Sequence, residues 1–554
     1  MHPSGRWMKL LAIHCGRSFV KHPGISVLSL AVATGLWSTA AWSANGNVIT
    51  VDSLADGSLP DACTLRDALK AAASEEVQGG CVAGQPGQDE ILITASGTLL
   101  LTQGTLMIES DVIITGPGTE ELIISGGFGT RIFRANGSFF GGNADNLVFT
   151  DMTLTNVGPD LPGGGAIFLN QVEQTEIERL VIRDGSRGGI SIEGPGQLRV
   201  LDTTISNTTR RGIDANLDAD GGVLQLDNVT LTGNGAGLWC RCDLRITNST
   251  ISGNGPEGNG GGVETYLSRV YIADTVISGN ISTNVGGLYL NVYEMEMRRV
   301  TIAGNSGSLA GGMLLRPLQA GSIVEGLSVI DNQASGLGGP AGPRGVGGVL
   351  VNTRPLSDLS IVNSTISGNT GTRAGGIDFD DNASGETRFE HLTVANNLAN
   401  SPLAIAGGLS FRVNQAGLGI ANSIFAGNGA PQGLGDDVVA WTRDGLQDPI
   451  EPGSDLNLSY SLVEDDSGFA ALGIGNLLGV GAQLGPLADN GGPTLTHLPL
   501  PGSPVLNAGD PDFEPPPEFD QRGPGFPRVL SGRVDMGAVE ADFDLIFSDR
   551  FQLP

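Results

Sequence analysis

One phrase recurs through the middle of the chain and restricts the folds open to it. A short apolar–Thr–apolar run ends in Gly-Asn or Asn-Asn, and a Gly-Gly pair with a second apolar run follows. It reads VTLTGN at 229–234, STISGN at 249–254, TVISGN at 275–280, VTIAGN at 300–305, STISGN at 364–369, LTVANN at 392–397 and SIFAGN at 423–428. The closing residues are Asn234, Asn254, Asn280, Asn305, Asn332, Asn369, Asn397 and Asn428. A unit of roughly 20–45 residues built from short β-runs is the mark of a solenoid. Leucine-rich repeats need regularly spaced leucines that are missing, and propeller blades need four antiparallel strands per unit.

What fits is an all-β, single-stranded right-handed parallel β-helix over residues 101–480, one coil per repeat, with a small helix-containing cap before it. Coils stacked about 4.8 Å apart place like residues above like residues. Asn tolerates a left-handed turn and can ladder through its amide to the next coil. Gly pairs suit a sharp corner, while Val, Ile and Thr suit strands.

Aligning the strands after each Gly pair predicts which side chains face out. Leu238, Val263, Leu288, Met313, Val349, Ile377 and Leu409 form one inward layer, and Cys240, Thr265, Leu290, Leu315, Val351, Phe379 and Phe411 the next. Alternation then turns Trp239, Tyr289 and Asp378 outward in one column and Arg241, Tyr266, Arg316, Asp380 and Arg412 in another. Aromatic faces stack on sugar rings and arginines pair with uronate carboxylates. Trp239, Arg241, Tyr266, Tyr289, Arg316 and Arg412 are therefore candidate ligands for a polysaccharide or cell-surface glycan, beside the plainer reading of cross-strand pairs on a solvated sheet.

Asp378 and Asp380 are the catalytic candidates. Two residues apart on a strand, they stand about 6.6–6.8 Å apart at the backbone, and inverting glycosidases hold their carboxyl groups about 6.5–9.5 Å apart. Against catalysis, the Asn-Thr-Asp, Gly-His-Gly and Arg-Ile-Lys blocks of polygalacturonase-like enzymes are absent. A non-catalytic binder is the preferred expectation, a polysaccharide hydrolase or lyase the alternative, and a passive spacer the third.

Residues 1–44 read as a signal peptide. Arg6, Lys9, Arg17 and Lys21 precede an apolar run from Ile25 to Leu36, and Ala41-Trp42-Ser43 fits a small-residue cleavage site. Cleavage would take the net charge from −29 to −33, since four basic and no acidic residues are lost. So acidic a surface repels nucleic acid and anionic lipid, and tolerates a divalent cation such as calcium. No further segment is long and apolar enough to span a bilayer. After the leader the histidines are His391 and His497, so a Ser-His-Asp triad is poorly supplied.

Cys63 and Cys81 flank a helical-looking stretch and either bridge in an oxidising compartment or remain buried thiols. Cys240 and Cys242 both face inward. On an extended strand their Cα atoms lie about 6.6–6.8 Å apart, at the limit for a disulfide, so they read as buried thiols. No His or further Cys accompanies them, so no metal site is expected.

Two segments carry family resemblances. The blocks PLADNGGPTLTHLPLPGSPVLNAGDP, DQRGPGFPR and VDMGAVE, between Pro486 and Glu540, resemble the choice-of-anchor Q domain found at the end of bacterial exported β-helix proteins. The run from Ile49 through Cys63-Thr64-Leu65-Arg66-Asp67-Ala68 resembles the CSLREA-type N-terminal domain, with Thr and Asp where that core has Ser and Glu. The resemblances imply a secreted or surface-displayed protein of the bacterial outer envelope. They divide the chain into a signal peptide (1–44), a cap (45–100), the β-helix (101–480), an anchor-like module (481–541) and a sorting or anchoring tail (542–554). The cap is expected to close the first coil and the anchor-like module the last. The tail DLIFSDRFQLP lacks a membrane-spanning run, so it would engage an export or anchoring receptor, with Leu545–Phe547 adding as an edge strand or else packing on the last coil.

Overall fold

The computed structural model describes residues 45–138, 142–158, 164–217, 221–336, 344–354, 357–380, 386–412, 417–431, 435–441, 455–530 and 532–541. The leader and the tail lie outside the described residues. Strands wind into a parallel β-helix whose coils each carry three runs, as in Arg269–Ala273, Val276–Ser278 and Leu288–Val292. The first two runs of successive coils belong to one 27-stranded array, and the third runs stack into a 13-stranded sheet.

Two left-handed residues per coil bend the chain between runs. The first is usually Asn or Asp, as at Asn248 (φ 52°), Asp274 (φ 50°) and Asn422 (φ 49°). A Ser or Thr follows, and its hydroxyl ties two coils together. Ser249 Oγ donates to the Thr247 carbonyl at 2.7 Å and accepts from the Val229 amide at 3.1 Å. The second is the residue before each closing Asn, a Gly as at Gly253 (φ 61°) and Gly279 (φ 62°), or Asp331 (φ 54°) and Asn396 (φ 57°). This corrects the expectation that the closing Asn itself takes the turn: the residue before it turns the chain, leaving the closing Asn side chain directed inward.

There the closing asparagines form a continuous ladder. Asn254 Nδ2 donates to Asn280 Oδ1 at 2.8 Å, Asn280 to Asn305 at 3.0 Å, and Asn305 to Asn332 at 2.9 Å. Each backbone amide donates to the same oxygen, at 3.0 Å for Asn280. The ladder ends on Asp437, whose Oδ1 accepts from Asn428 Nδ2 at 2.7 Å. Burial raises the pKa of that carboxyl, since little solvent reaches it to support a charge.

The Gly-Gly pairs serve stacking. A Cβ on Gly287 would sit 2.4 Å from the Gly312 carbonyl oxygen, and one on Gly312 would sit 2.6 Å from that of Gly348. Any side chain there would push successive coils apart. The pairing register stacks Leu238 on Val263, Leu288 and Met313, and all four are buried.

The two terminal modules sit differently on this stack. Parallel pairing already begins at Val48–Val51, which joins Asp89–Ile93, so the N-terminal cap is an excursion between the first two rungs. It carries the helix Leu65–Ser74, capped by Thr64, whose hydroxyl accepts from the Asp67 amide at 3.2 Å. Leu65, Ala68, Leu69, Ala71 and Ala72 face the core. Cys63 and Cys81 form a disulfide with Cα atoms 4.4 Å apart. Arg66 fastens the cap through Asp56 at 2.7 Å and the carbonyls of Gly104 and Thr105 at 2.8 and 3.1 Å.

The C-terminal module, expected to close the last coil, runs along the flank and meets the last coil where Ala482, Val505 and Met536 pack with Leu462 and Leu477. Gln521 accepts from Thr365 Oγ1 at 2.6 Å and donates to the Leu327 carbonyl at 3.0 Å. Arg528, fully buried, donates to Asn363 Oδ1 at 2.5 Å and to the carbonyls of Gly537 and Ala538, both at 3.1 Å. Further along, Thr393 Oγ1 accepts from the Ala538 amide and Asn422 Oδ1 from the Asp510 amide. The module therefore reads the polar outer face of several coils. Pro- and Gly-rich chain with few strands of its own satisfies its backbone against that face.

Candidate functional site

Trp239, Tyr266 and Tyr289 come together on the outer face of the 13-stranded sheet. Trp239 stacks on Glu264 and Glu264 on Tyr289. The Tyr266 and Tyr289 rings lie 5.3 Å apart, tilted, and the Arg211 guanidinium stands 5.3 Å over Trp239. The Tyr266 hydroxyl donates to Glu264 at 2.7 Å and accepts from Asn259 Nδ2 at 2.8 Å. Burial, then Glu264, raises the phenol above its usual range. Tyr289 packs with Leu314 and Leu350 against Val285 and Ala310, which bridge from the loops before the Gly pairs. Arg241 is exposed beside this cluster. Arg316 donates to Asn352 at 3.1 Å, and Arg412 lies farther along the stack. Much of the expected sugar face thus interlocks with itself.

Asp378 and Asp380 are held by partners that sequence did not reveal. Arg373 Nε donates to Asp378 Oδ2 at 2.7 Å, and the Ser410 hydroxyl donates to its other oxygen. Arg412 pairs with Asp380 at 2.7 Å. Trp441 underlies both guanidinium groups, 4.2 Å from Arg373 and 5.9 Å from Arg412. Both carboxylates are thus engaged in ion pairs with guanidinium groups, and Asp378 in a hydroxyl hydrogen bond as well. Arg373 comes from the loop before the Gly pair and Trp441 from a later coil, which strand alignment alone does not join.

Cys240 and Cys242 point inward and are fully buried, but they are disulfide-bonded with Cα atoms 5.5 Å apart, which corrects the thiol reading. The strand ends at Arg241, so the chain bends and draws the two Cα atoms together.

Neither histidine serves acid–base chemistry. His391 is fully buried with its ring edge-on to Phe513 at 5.1 Å, and burial drives its pKa well below the usual value. His497 lies 2.8 Å from the Ser367 hydroxyl and 2.7 Å from the Gly485 carbonyl. That Ser–His pair is sealed between module and flank, and burial lowers the imidazole pKa.

A groove of about 340 Å³ opens on the outer face of the larger array. The register sets Arg388 beside Gly419 and Gly419 beside Asn457, with Glu390, Ala421 and Ser459 in the next column. Two small residues between longer polar ones make the notch. Arg388 donates to Glu386 at 2.9 Å, and among the described residues no group donates a hydrogen bond to the Glu390 carboxyl. Burial raises the pKa of Glu390, opposed by Arg388. Gly419 has space around it: a Cβ there would find only Asn457 Nδ2, at 3.9 Å. Unlike the Gly pairs, this glycine is not required by stacking. Its signal in the sequence is a lone Gly inside an apolar run, Leu418-Gly419-Ile420-Ala421. Among the described residues no group of three or more His, Cys, Asp or Glu side chains is placed to hold a metal ion.

A family model described as a right-handed β-helix region matches residues 234–430, and the fold is a right-handed parallel β-helix. No curated protein matches the sequence. Similar solved structures include the catalytic unit of a thermostable GH87 α-1,3-glucanase from Streptomyces thermodiastaticus strain HF3-3 (14% identity, 74% of this chain and 72% of that one, TM-score 0.37). XylC in complex with xylose is another (12% identity, 80% and 88%, TM-score 0.36), as is pectate lyase Pel9A (13% identity, 91% and 98%, TM-score 0.29). Likenesses of this degree carry no argument about what the present chain acts on.

Proposed function

We propose that this protein is an exported, non-catalytic β-helix that binds polysaccharide at the cell envelope, seating a sugar unit in the groove over Gly419 and Ala421. The observation that carries the reading is Gly419. Glycine in a strand interior weakens the strand, and here no neighbour requires it, so the open space is the feature it provides. Glu390, lacking a donor, is satisfied by sugar hydroxyls, and Asn457 and Ser459 offer further polar contacts from the next coil. The signal-like leader and the CSLREA-like and anchor-Q-like segments support export and surface display. The acidic surface disfavours nucleic acid and anionic lipid as partners.

A second reading, a polysaccharide-degrading enzyme, is favoured by one feature: a half-buried carboxyl with a raised pKa facing a groove is suited to a general acid. One experiment separates the two. The mature protein is screened on a glycan array while reducing-sugar and unsaturated-product release are followed on each hit. Binding without release is expected, with Gly419→Arg, which fills the groove, weakening it at least about tenfold. Depolymerisation abolished by Glu390→Gln establishes the enzyme. Binding that survives Gly419→Arg but fails in Tyr289→Ala places the ligand on the other sheet.

A further inference from the structure

Carboxylates on the outer face of the larger array are matched by arginines. Glu176 pairs with Arg199 at 2.9 Å, and Glu296 and Glu325 both pair with Arg298. Glu390 departs from this pattern. The register sets it between Val362 and Ala421, neither of which carries a charge. Arg388, two residues earlier on the same strand, sits between Ser360 and Gly419 and is paired with Glu386 at 2.9 Å. Glu386, Arg388 and Glu390 are the charged side chains lining the groove, so the Glu386–Arg388 pair leaves the Glu390 charge uncompensated. Among the described residues no cation pairs with it. Burial raises this carboxyl above its ordinary range, as expected of a charge without a partner.

We propose that the sugar unit seated in the groove is a cationic amino sugar, an unacetylated hexosamine whose ammonium pairs with Glu390; this rests on the groove reading above. Hydroxyl groups satisfy the lone pairs of Glu390 and leave its charge unmatched, whereas an ammonium does both. A uronate would bring a like charge against Glu390, and Arg388 already has its anion in Glu386. The whole chain, at net charge −29, extends the same preference beyond the groove, repelling an anionic polymer and drawing in a cationic one. The missing Cβ at Gly419 leaves the ring its space, and Asn457 and Ser459 stand on the next coil to meet its hydroxyls.

The test titrates the mature full-length chain, by calorimetry, with soluble oligomers of glucosamine, N-acetylglucosamine and a uronic acid, matched in length. The glucosamine oligomer is expected to bind at least about tenfold more tightly than the acetylated one, and the uronate most weakly. Glu390→Gln, which keeps the shape of the side chain, should erase that preference with unchanged circular dichroism. Glu109→Gln, which removes an exposed charge elsewhere, should preserve it. Equal affinity for the amine and its acetamide, a preference for the uronate, or a preference that survives Glu390→Gln overturns the proposal. A preference lost equally in Glu109→Gln also overturns it, because general attraction to an acidic chain would then be the cause. In each of those cases binding that Gly419→Arg blocks leaves the groove reading intact. If no oligomer binds, or binding survives Gly419→Arg, the groove reading fails and the proposal with it.

Discussion

The cap and the C-terminal module meet the same solenoid in opposite ways. The cap closes an end: its helix faces the core with apolar side chains, and its polar anchors, Asp56 and Arg66, reach one adjacent turn of chain. The C-terminal module clamps a flank, and its anchors, Gln521, Arg528 and His497, are polar groups buried against the outer hydroxyls and amides of several coils. The hydrophobic lid adds its apolar face to the end of the core. The clamp is polar where it crosses the earlier coils and apolar at the end, where Ala482, Val505 and Met536 pack with Ile424, Leu462 and Leu477.

The largest expected effect is on the clamp. Arg528→Ala leaves buried acceptors unpaired and should cost about 3–5 kcal/mol. Denaturant melts followed by limited proteolysis should show the C-terminal module released while the cap stays protected; simultaneous loss of both would make the two modules one cooperative unit. Next, replacing Cys63 and Cys81 together by Ser should cost about 3 kcal/mol, from the entropy of a closed loop of that size. Hydrogen exchange should rise in the helix Leu65–Ser74 and not around Arg528.

A smaller, pH-dependent difference should separate the modules. Burial, with the neighbouring Asp535 charge, raises Glu540 from 4.5 to about 8. A carboxyl raised on folding stabilises the folded state fully below its unfolded value, and that contribution is lost as pH climbs through the folded value. The clamp's melting temperature should therefore fall between pH 4.5 and 8, and Glu540→Gln should flatten the profile. A fall unaltered by that substitution would assign the titration elsewhere. The smallest effect on stability is expected from deleting residues 542–554, which should move the protein from envelope to medium with melting temperature unchanged. Lost stability with unchanged location would make the tail part of the fold.

The β-helix was legible in the sequence because its period is local. Each coil repeats the demand for a left-handed residue, usually Gly, then a ladder Asn and a pair of glycines, so eight asparagines read in order already describe one edge of the solid. Strand alternation likewise set the inward layers, since a one-residue slip would bury the polar set. What depends on a meeting of distant segments was not legible. Arg373 and Trp441 bracket Asp378 and Asp380 from a loop and a later coil, turning a candidate acid pair into an ion-paired cluster. The bend after Arg241 brought Cys240 and Cys242 into bonding range. Gly419 looks like any other glycine until its surroundings show that nothing presses on it. The repeat itself determined the winding, because every coil obeys the same short-range sterics and stacking. The flank position of the C-terminal module and the groove were decided only in the tertiary structure, because each depends on which surfaces meet or remain uncovered after the chain has packed.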